Sequence, residues 1–302
     1  MELPYTKAVA SQLVPPFRGI IALVRPRQWV KNGFVAAPLF LTPTAVSLQT
    51  VLTIGLAILA FSAVASAVYV LNDYADRNAD KQHHIKRYRP LASGIVPIPA
   101  AFATMGFLML AGFSLAIWLY PPFALILATY AALNVGYSLG LKNIAVVDVF
   151  IIAIGFVLRV QAGILLIGVS ATVWITIMTW LLALFIALAK RRDDVIRSMT
   201  TAHRTSLSGY NRPFLDSTVT MLLGALLVAY LIYTTDQTVM DRMGTDNLVY
   251  SAPFVVAGIM RYLQLLFVEE RSGNPTEIVL TDRFLILTIV GWALCMALLI
   301  YV

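Results

Sequence analysis

VLTIGLAILAFSAVASAVYVLNDYADRNADKQHHIKRYRP, running from Val51 to Pro90, changes character at Leu71. Up to that point 21 residues pass without a charged side chain, more than the ~18 that mark a membrane-spanning helix. Beyond it, Asp73, Asp76 and Asp80 fall at i, i+3 and i+7, and Lys81, Lys86, Arg87 and Arg89 follow at once. On a helix that spacing puts the three carboxylates on one face, stacked over roughly 10 Å at about 1.5 Å per residue. Carboxylates chelate a hard cation such as Mg²⁺, and the adjoining cations suit the phosphates that such a metal accompanies. A spanning helix delivering the chain into a metal-and-phosphate stretch is the pattern from which the rest is read.

The remaining sequence repeats the apolar half of that pattern. Of 302 residues 60% are hydrophobic and 12% charged, and the mean hydropathy is +0.82, which excludes a soluble domain. Long unbroken runs fit helices, whereas barrel strands alternate over segments of about ten residues. The expectation is an all-α polytopic membrane protein. Cys295 is the only cysteine in the chain, so disulfides and cysteine metal sites within it are excluded. A formal charge of +7 suits anionic lipid head groups or phosphorylated substrates, and no nucleic-acid partner is expected. Residues 1–19 hold Pro15, Pro16 and scattered charge without an apolar segment, so no cleavable signal peptide is expected.

Nine spans are expected, at about 33–48, 51–71, 100–119, 122–140, 144–168, 172–189, 214–234, 249–268 and 284–302. They form one domain over 1–302, with a polar arm at 1–19 and loops at 72–99 and 190–213. Trp29, with cations around it, reads as an interface residue before the first span. Of the 22 Lys and Arg, 19 fall with the amino-terminal arm and the loops after even-numbered spans, Lys7, Arg197 and Arg204 among them. Arg242 stands alone on the other side beside Asp236, Asp241 and Asp246, and Arg159 and Arg261 lie inside spans. The positive-inside rule then puts the amino terminus and the charged stretches in the cytosol and the carboxyl terminus outside the cell membrane.

Three places carry candidate chemistry. In the first, a mixed-charge loop is the plain reading, but three Asp on one face, Asn72 at the helix entry and four cations favour a metal–phosphate site. His83 reads equally as a phosphate contact or a solvated histidine. Zinc is disfavoured because hard carboxylates dominate. The second place is Tyr137 to Asp148, containing Lys142. Arg159 lies 11 residues after Asp148, and eleven steps of about 100° leave only ~20°, so the two share a face. An Arg within a span is a functional candidate by default, the plain alternative being an ion pair with another helix. The third is Lys190-Arg-Arg-Asp-Asp194, where Lys190 and Arg191 suit either phosphate binding or membrane anchoring. Arg261 and Asp282 are lesser candidates.

The pattern N-D-x-x-D-x-x-x-D-x-x-H-x-x-K-x-x-R-P from Asn72 to Pro90 resembles the first acidic motif of the UbiA superfamily of intramembrane prenyltransferases. Arg25–Asn32 with the Ala-Pro-Leu that follows, Tyr137–Lys142 with Asp148, Gly155–Arg159 and Ala189–Arg192 resemble, more narrowly, the bacterial decaprenyl-phosphate phosphoribosyltransferases of cell-wall arabinan synthesis. The resemblance covers about residues 20–300. It implies nine helices around a cytosol-facing cavity. Two departures stand out. The superfamily's second motif carries Asp-x-x-x-Asp, whereas here Asp148 is flanked by Ile144 and Ile152; and His84 stands where a proline commonly follows the histidine. The single Asp148 favours the phosphoribosyl subgroup over prenyl transfer from a polyprenyl diphosphate to an aromatic acceptor. A transporter, the remaining rival, would carry polar residues on both sides of the membrane.

The resemblance implies transfer of 5-phosphoribose from phosphoribosyl pyrophosphate to a polyprenyl phosphate, with Mg²⁺ on Asp73, Asp76 and Asp80. Asn72 and Asp148 would complete the catalytic set. Lys31, His83, Lys86, Arg89, Tyr137, Lys142, Arg159, Lys190 and Arg191 are the candidates for substrate contact. The apolar outer faces suit membrane lipids and leave room for homo-oligomers.

Overall fold

The computed structural model describes residues 16–83, 85–169, 173–198, 205–271 and 275–301. Lys7, His84 and Arg204, with most of the 1–19 arm, lie outside these, as does the side chain of Arg197. Among the described residues there is no strand, and eight helices are long and apolar enough to cross a membrane. The helices in chain order are α1 (Pro16–Val24), α2 (Ala37–Phe40), α3 (Leu48–Ala75), α4 (Arg77–Gln82), α5 (Ile98–Leu119), α6 (Pro121–Leu139) and α7 (Val147–Ile167). They continue as α8 (Val173–Ser198), α9 (Arg212–Thr235), α10 (Gln237–Met243), α11 (Ala252–Phe267), α12 (Pro275–Thr281) and α13 (Arg283–Tyr301). The eight spans come close to the nine expected. The stretch expected to form the first, 33–48, is a series of short pieces: a 3₁₀ helix over Pro26–Ala36, then α2, then a 3₁₀ turn over Pro43–Ala45. Pro38 and Pro43 lack the N–H that a continuing helix needs, so each stands at the start of a new piece.

Packing divides the chain into two compact units. One comprises the residues up to Val35 with Val51–Gly140, and so holds α1, nearly all of α3, and α4 to α6. Leu23, Val70, Leu91, Val96 and Ala101 make a buried cluster there. Gly112 lets α5 close on α3: a Cβ in its place would lie 2.7 Å from Val64 Cγ2 and 3.1 Å from the Ala60 carbonyl oxygen.

The other unit comprises Ala36–Thr50 and Leu141–Val302. Its core joins Val149 of α7, Leu184 and Leu188 of α8, Leu215 and Val219 of α9, Leu265 of α11 and Leu285 of α13. A second cluster gathers Tyr230, Tyr233, Val239, Met243, Leu248 and Met296. In both units large apolar side chains such as Leu110 and Leu287 are exposed, as contact with hydrocarbon requires.

Candidate active site

α3 runs past Leu71 to Ala75, which puts Asn72 and Asp73 in its last turn, Asp76 at the junction and Asp80 in α4. Helical hydrogen bonds cross the junction, from the Asp76 N–H to the Asn72 oxygen (2.9 Å) and from the Asp80 N–H to the Asp76 oxygen (2.8 Å). The i, i+3, i+7 face is thereby kept. Asp73 and Asp80 are buried, and one guanidinium nitrogen, Arg89 Nη1, donates to both, at 3.0 Å to Asp73 Oδ1 and 2.8 Å to Asp80 Oδ2. Arg25 also pairs with Asp73 and lies 5.2 Å from the Tyr69 ring centroid. Asp76 instead accepts from Asn72 Nδ2 at 3.2 Å. His83 Nδ1 accepts the N–H groups of Ile85 (3.1 Å) and Lys86 (3.3 Å), which shapes the turn that exposes Lys86. Lys31 is exposed, while its neighbour Asn32 is buried and donates to Ser62 Oγ at 2.9 Å. Trp29 turns inward, its Nε1 donating to Ser66 Oγ at 3.0 Å.

Among the described residues no three Asp, Glu, His or Cys side chains converge as a ready-made metal site. The donor chemistry nevertheless fits a divalent cation. Asp73 Oδ2 is buried without a hydrogen-bond partner, and an unmatched carboxylate oxygen in a desolvated place is costly unless a cation or donor meets it.

Asp148 and the side chains that meet it lie wholly in the other unit. Asp148, in the first turn of α7, is fully buried. Its Oδ2 accepts from Arg191 Nε at 2.7 Å and its Oδ1 from the Tyr210 hydroxyl at 2.7 Å. Arg191, buried itself, reaches on from Nη1 to Asp194 at 2.9 Å. The Tyr210 oxygen also accepts the Val146 N–H at 2.6 Å. Val146 has φ +70° and ψ −49°, a sparsely populated conformation that costs a β-branched residue on the order of 1–3 kcal/mol. Burial, reinforced by the bond to Asp148, pushes the Tyr210 phenol up to about 12, so it stays protonated and donating. Arg159 is buried on α7 and donates to the Gly155 carbonyl oxygen at 2.7 Å. Asp148 is thus met by Arg191 of α8, not by the Arg159 that shares its face. Lys142 is half-buried in the turn before α7, and Tyr137 half-buried near the end of α6. α8 extends through the charged segment to Ser198, with Lys190 exposed and Arg191 and Arg192 turned inward.

Four pairings in these networks join residues that no spacing in the sequence links. They are Arg25 with Asp73, Tyr210 with Asp148, Asp216 with Arg192, and Arg261 with Asp282 at 2.8 Å. No periodicity links Tyr210 to Asp148, which is 62 residues away. For Arg25 the available signals are a cation directly preceding Pro26 beside an apolar segment and the resemblance carried by Arg25–Asn32, and neither names its partner.

Spanning helices whose ends carry buried carboxylates held by guanidinium groups define a multi-pass membrane protein with paired charges at the ends of its spans. The comparison with known proteins makes that class specific. Residues 33–205 match the UbiA prenyltransferase family, and the chain belongs to it; it is a membrane enzyme of the prenyltransferase type. It is 31% identical to the decaprenyl-phosphate phosphoribosyltransferase of Corynebacterium glutamicum, over 99% of this chain and 93% of that one. Identity to the decaprenyl-phosphate phosphoribosyltransferase of Mycolicibacterium smegmatis is 32%, over 91% of this chain and 90% of that one. In fold the chain is similar to a UbiA homologue from Archaeoglobus fulgidus solved with GPP and Mg²⁺, with TM-score 0.69 at 18% identity, covering 92% of this chain and 99% of that one.

Proposed function

We propose that the chain transfers the 5-phosphoribosyl group from phosphoribosyl pyrophosphate to a polyprenyl phosphate such as decaprenyl phosphate, releasing pyrophosphate and forming a precursor of cell-wall arabinan. The observation that carries this reading is its near-full-length similarity to decaprenyl-phosphate phosphoribosyltransferases. An oxygen of the acceptor phosphate attacks the anomeric carbon while the bond from that carbon to pyrophosphate breaks. The acceptor is already an anion at neutral pH, so no strong general base is needed. Catalysis then rests on positioning and on stabilising charge in an oxocarbenium-like transition state.

Asp73, Asp76 and Asp80 would hold Mg²⁺, which when bound supplies positive charge to the departing pyrophosphate. Asn72 orients Asp76. Arg89, already between two carboxylates, and the exposed Lys86 present their charges to the donor's phosphates, with His83 shaping the turn between. Tyr137, Lys142, Lys190 and Lys31 are assigned to the acceptor phosphate or the donor's 5-phosphate, and Arg159 to substrate within the membrane. Asp148 and Arg191 anchor the elements that carry Lys142 and Lys190. The active site faces the cytosol, where the donor is found, and the lipid tail lies among apolar spans.

A pyrophosphate-release assay tests the reading. Release should require phosphoribosyl pyrophosphate, polyprenyl phosphate and a divalent cation together. Release from a polyprenyl diphosphate with an aromatic acid, and none from the first pair, would overturn it.

A further inference from the structure

We propose that Tyr210 is a positioning residue, whose hydroxyl holds the Leu141–Val146 turn against Asp148 and so sets where Lys142 meets a substrate phosphate. The proposal rests on the phosphate-binding assignment of Lys142. Tyr210 follows the 3₁₀ turn Thr205–Gly209, beyond the residues that match the family. The sequence around it, Ser-Gly-Tyr-Asn-Arg-Pro, carries no catalytic pattern.

The geometry gives the hydroxyl two tasks. It donates to Asp148 (2.7 Å) and accepts the N–H of Val146 (2.6 Å). Val146 stands at the amino end of α7 without a side-chain cap and with a strained positive φ. A strained β-branched residue persists only where its surroundings over-determine it, and the tyrosine supplies that restraint. Gly209 completes the contact, since a Cβ there would collide with the Ala145 methyl. Asp148, fixed from behind by Arg191, is the anchor. Lys142 sits in the turn so held, six residues before that anchor. Were the turn free to relax, the ammonium would lose its fixed place while remaining charged and present. Binding would weaken, and the chemical step, once substrate was bound, would be little changed.

The test uses the full-length protein and the variants Y210F, K142Q and Y210F/K142Q. Tyr210→Phe keeps the ring, which lies 6.2 Å from Phe214 by centroids, and removes only the hydroxyl. Amide exchange over residues 141–148 should rise in Y210F, with α7 and α8 otherwise as protected as before. In kinetics, K142Q identifies the substrate that Lys142 serves. Y210F should raise the KM for that same substrate about tenfold, as expected when the held turn falls to about a tenth of the population, with kcat within about twofold. In the double variant Y210F should add nothing to K142Q, because both act through one side chain. Unchanged exchange in the turn, a general loss of protection, effects that add, or a K142Q without effect on either KM would each overturn the proposal. A wild-type protein without phosphoribosyl transfer would remove the reading of the reaction instead, and exchange would still decide whether Tyr210 holds the turn.

Discussion

Asp73 occupies the most exacting position in the chain, with one carboxylate oxygen bound by Arg25 and Arg89 and the other buried without a partner. Asp73→Asn and Asp76→Ala should each lower divalent-cation-dependent turnover by at least about 100-fold, in protein that still inserts. Normal turnover in either variant would remove the metal assignment. The two should differ in stability. Asp73→Asn leaves Arg25 without its carboxylate and Arg89 with Asp80 alone, so its melting temperature should fall, and by more than that of Asp76→Ala, since Asp73 is buried and Asp76 is not. Asn72, Asp73, Asp76 and Asp80 were legible in the sequence because a single helical path spaces them, and local periodicity is what a sequence displays. Arg25 and Tyr210 were not. Their partners lie 48 and 62 residues away, and pairing at such a distance is decided by how helices pack, which leaves no spacing to read.

Among the elements, the spans were legible wherever hydrocarbon alone decides, as in α5 and α6, whose observed bounds fall within two residues of those expected. The stretch at 33–48 was read by hydropathy alone, and there the prolines prevail over it. α8 was expected to end near its first charges but continues as helix to Ser198, with Arg191 and Asp194 paired one turn apart at 2.9 Å. Two predictions belong at this scale. Gly112→Ala places a methyl against Val64 and the Ala60 carbonyl, and overpacking of this kind should destabilise by about 1–3 kcal/mol in thermal melting. The second concerns Arg261, which ties α11 to the residue before α13 by gripping both carboxylate oxygens of Asp282, at 3.3 and 2.8 Å. That hydrogen-bonded pairing, opposed in part by burial, holds the Asp282 carboxyl below the usual carboxylate range. A carboxyl depressed in the folded state stabilises it above the unfolded value of about 4 and loses that contribution as pH falls below it. Asp282→Asn should therefore melt lower than wild type at pH 6–7 and approach it below about pH 4. A difference that did not shrink on acidification would contradict the pairing.

For the whole molecule, membrane class and family rest on signals spread along the entire chain, and these were plain in the sequence. The direction of insertion rests on charge bias and can be measured. Single cysteines introduced at Arg87 and Asp246 with Cys295 replaced should label from opposite sides of a sealed membrane, position 87 from the cytosolic face. Labelling of both from one side would reverse or refute the topology. Direct attack by the acceptor also predicts inversion at the anomeric carbon, and a retained product would require a different mechanism. The central claim is phosphoribosyl transfer to a lipid phosphate. It is tested most directly by incubating membranes containing the protein with phosphoribosyl pyrophosphate labelled in the ribose, polyprenyl phosphate and Mg²⁺. The account predicts a labelled lipid whose formation is lost in Asp73→Asn. No labelled lipid, with prenylation of an aromatic acid from a polyprenyl diphosphate instead, would contradict it.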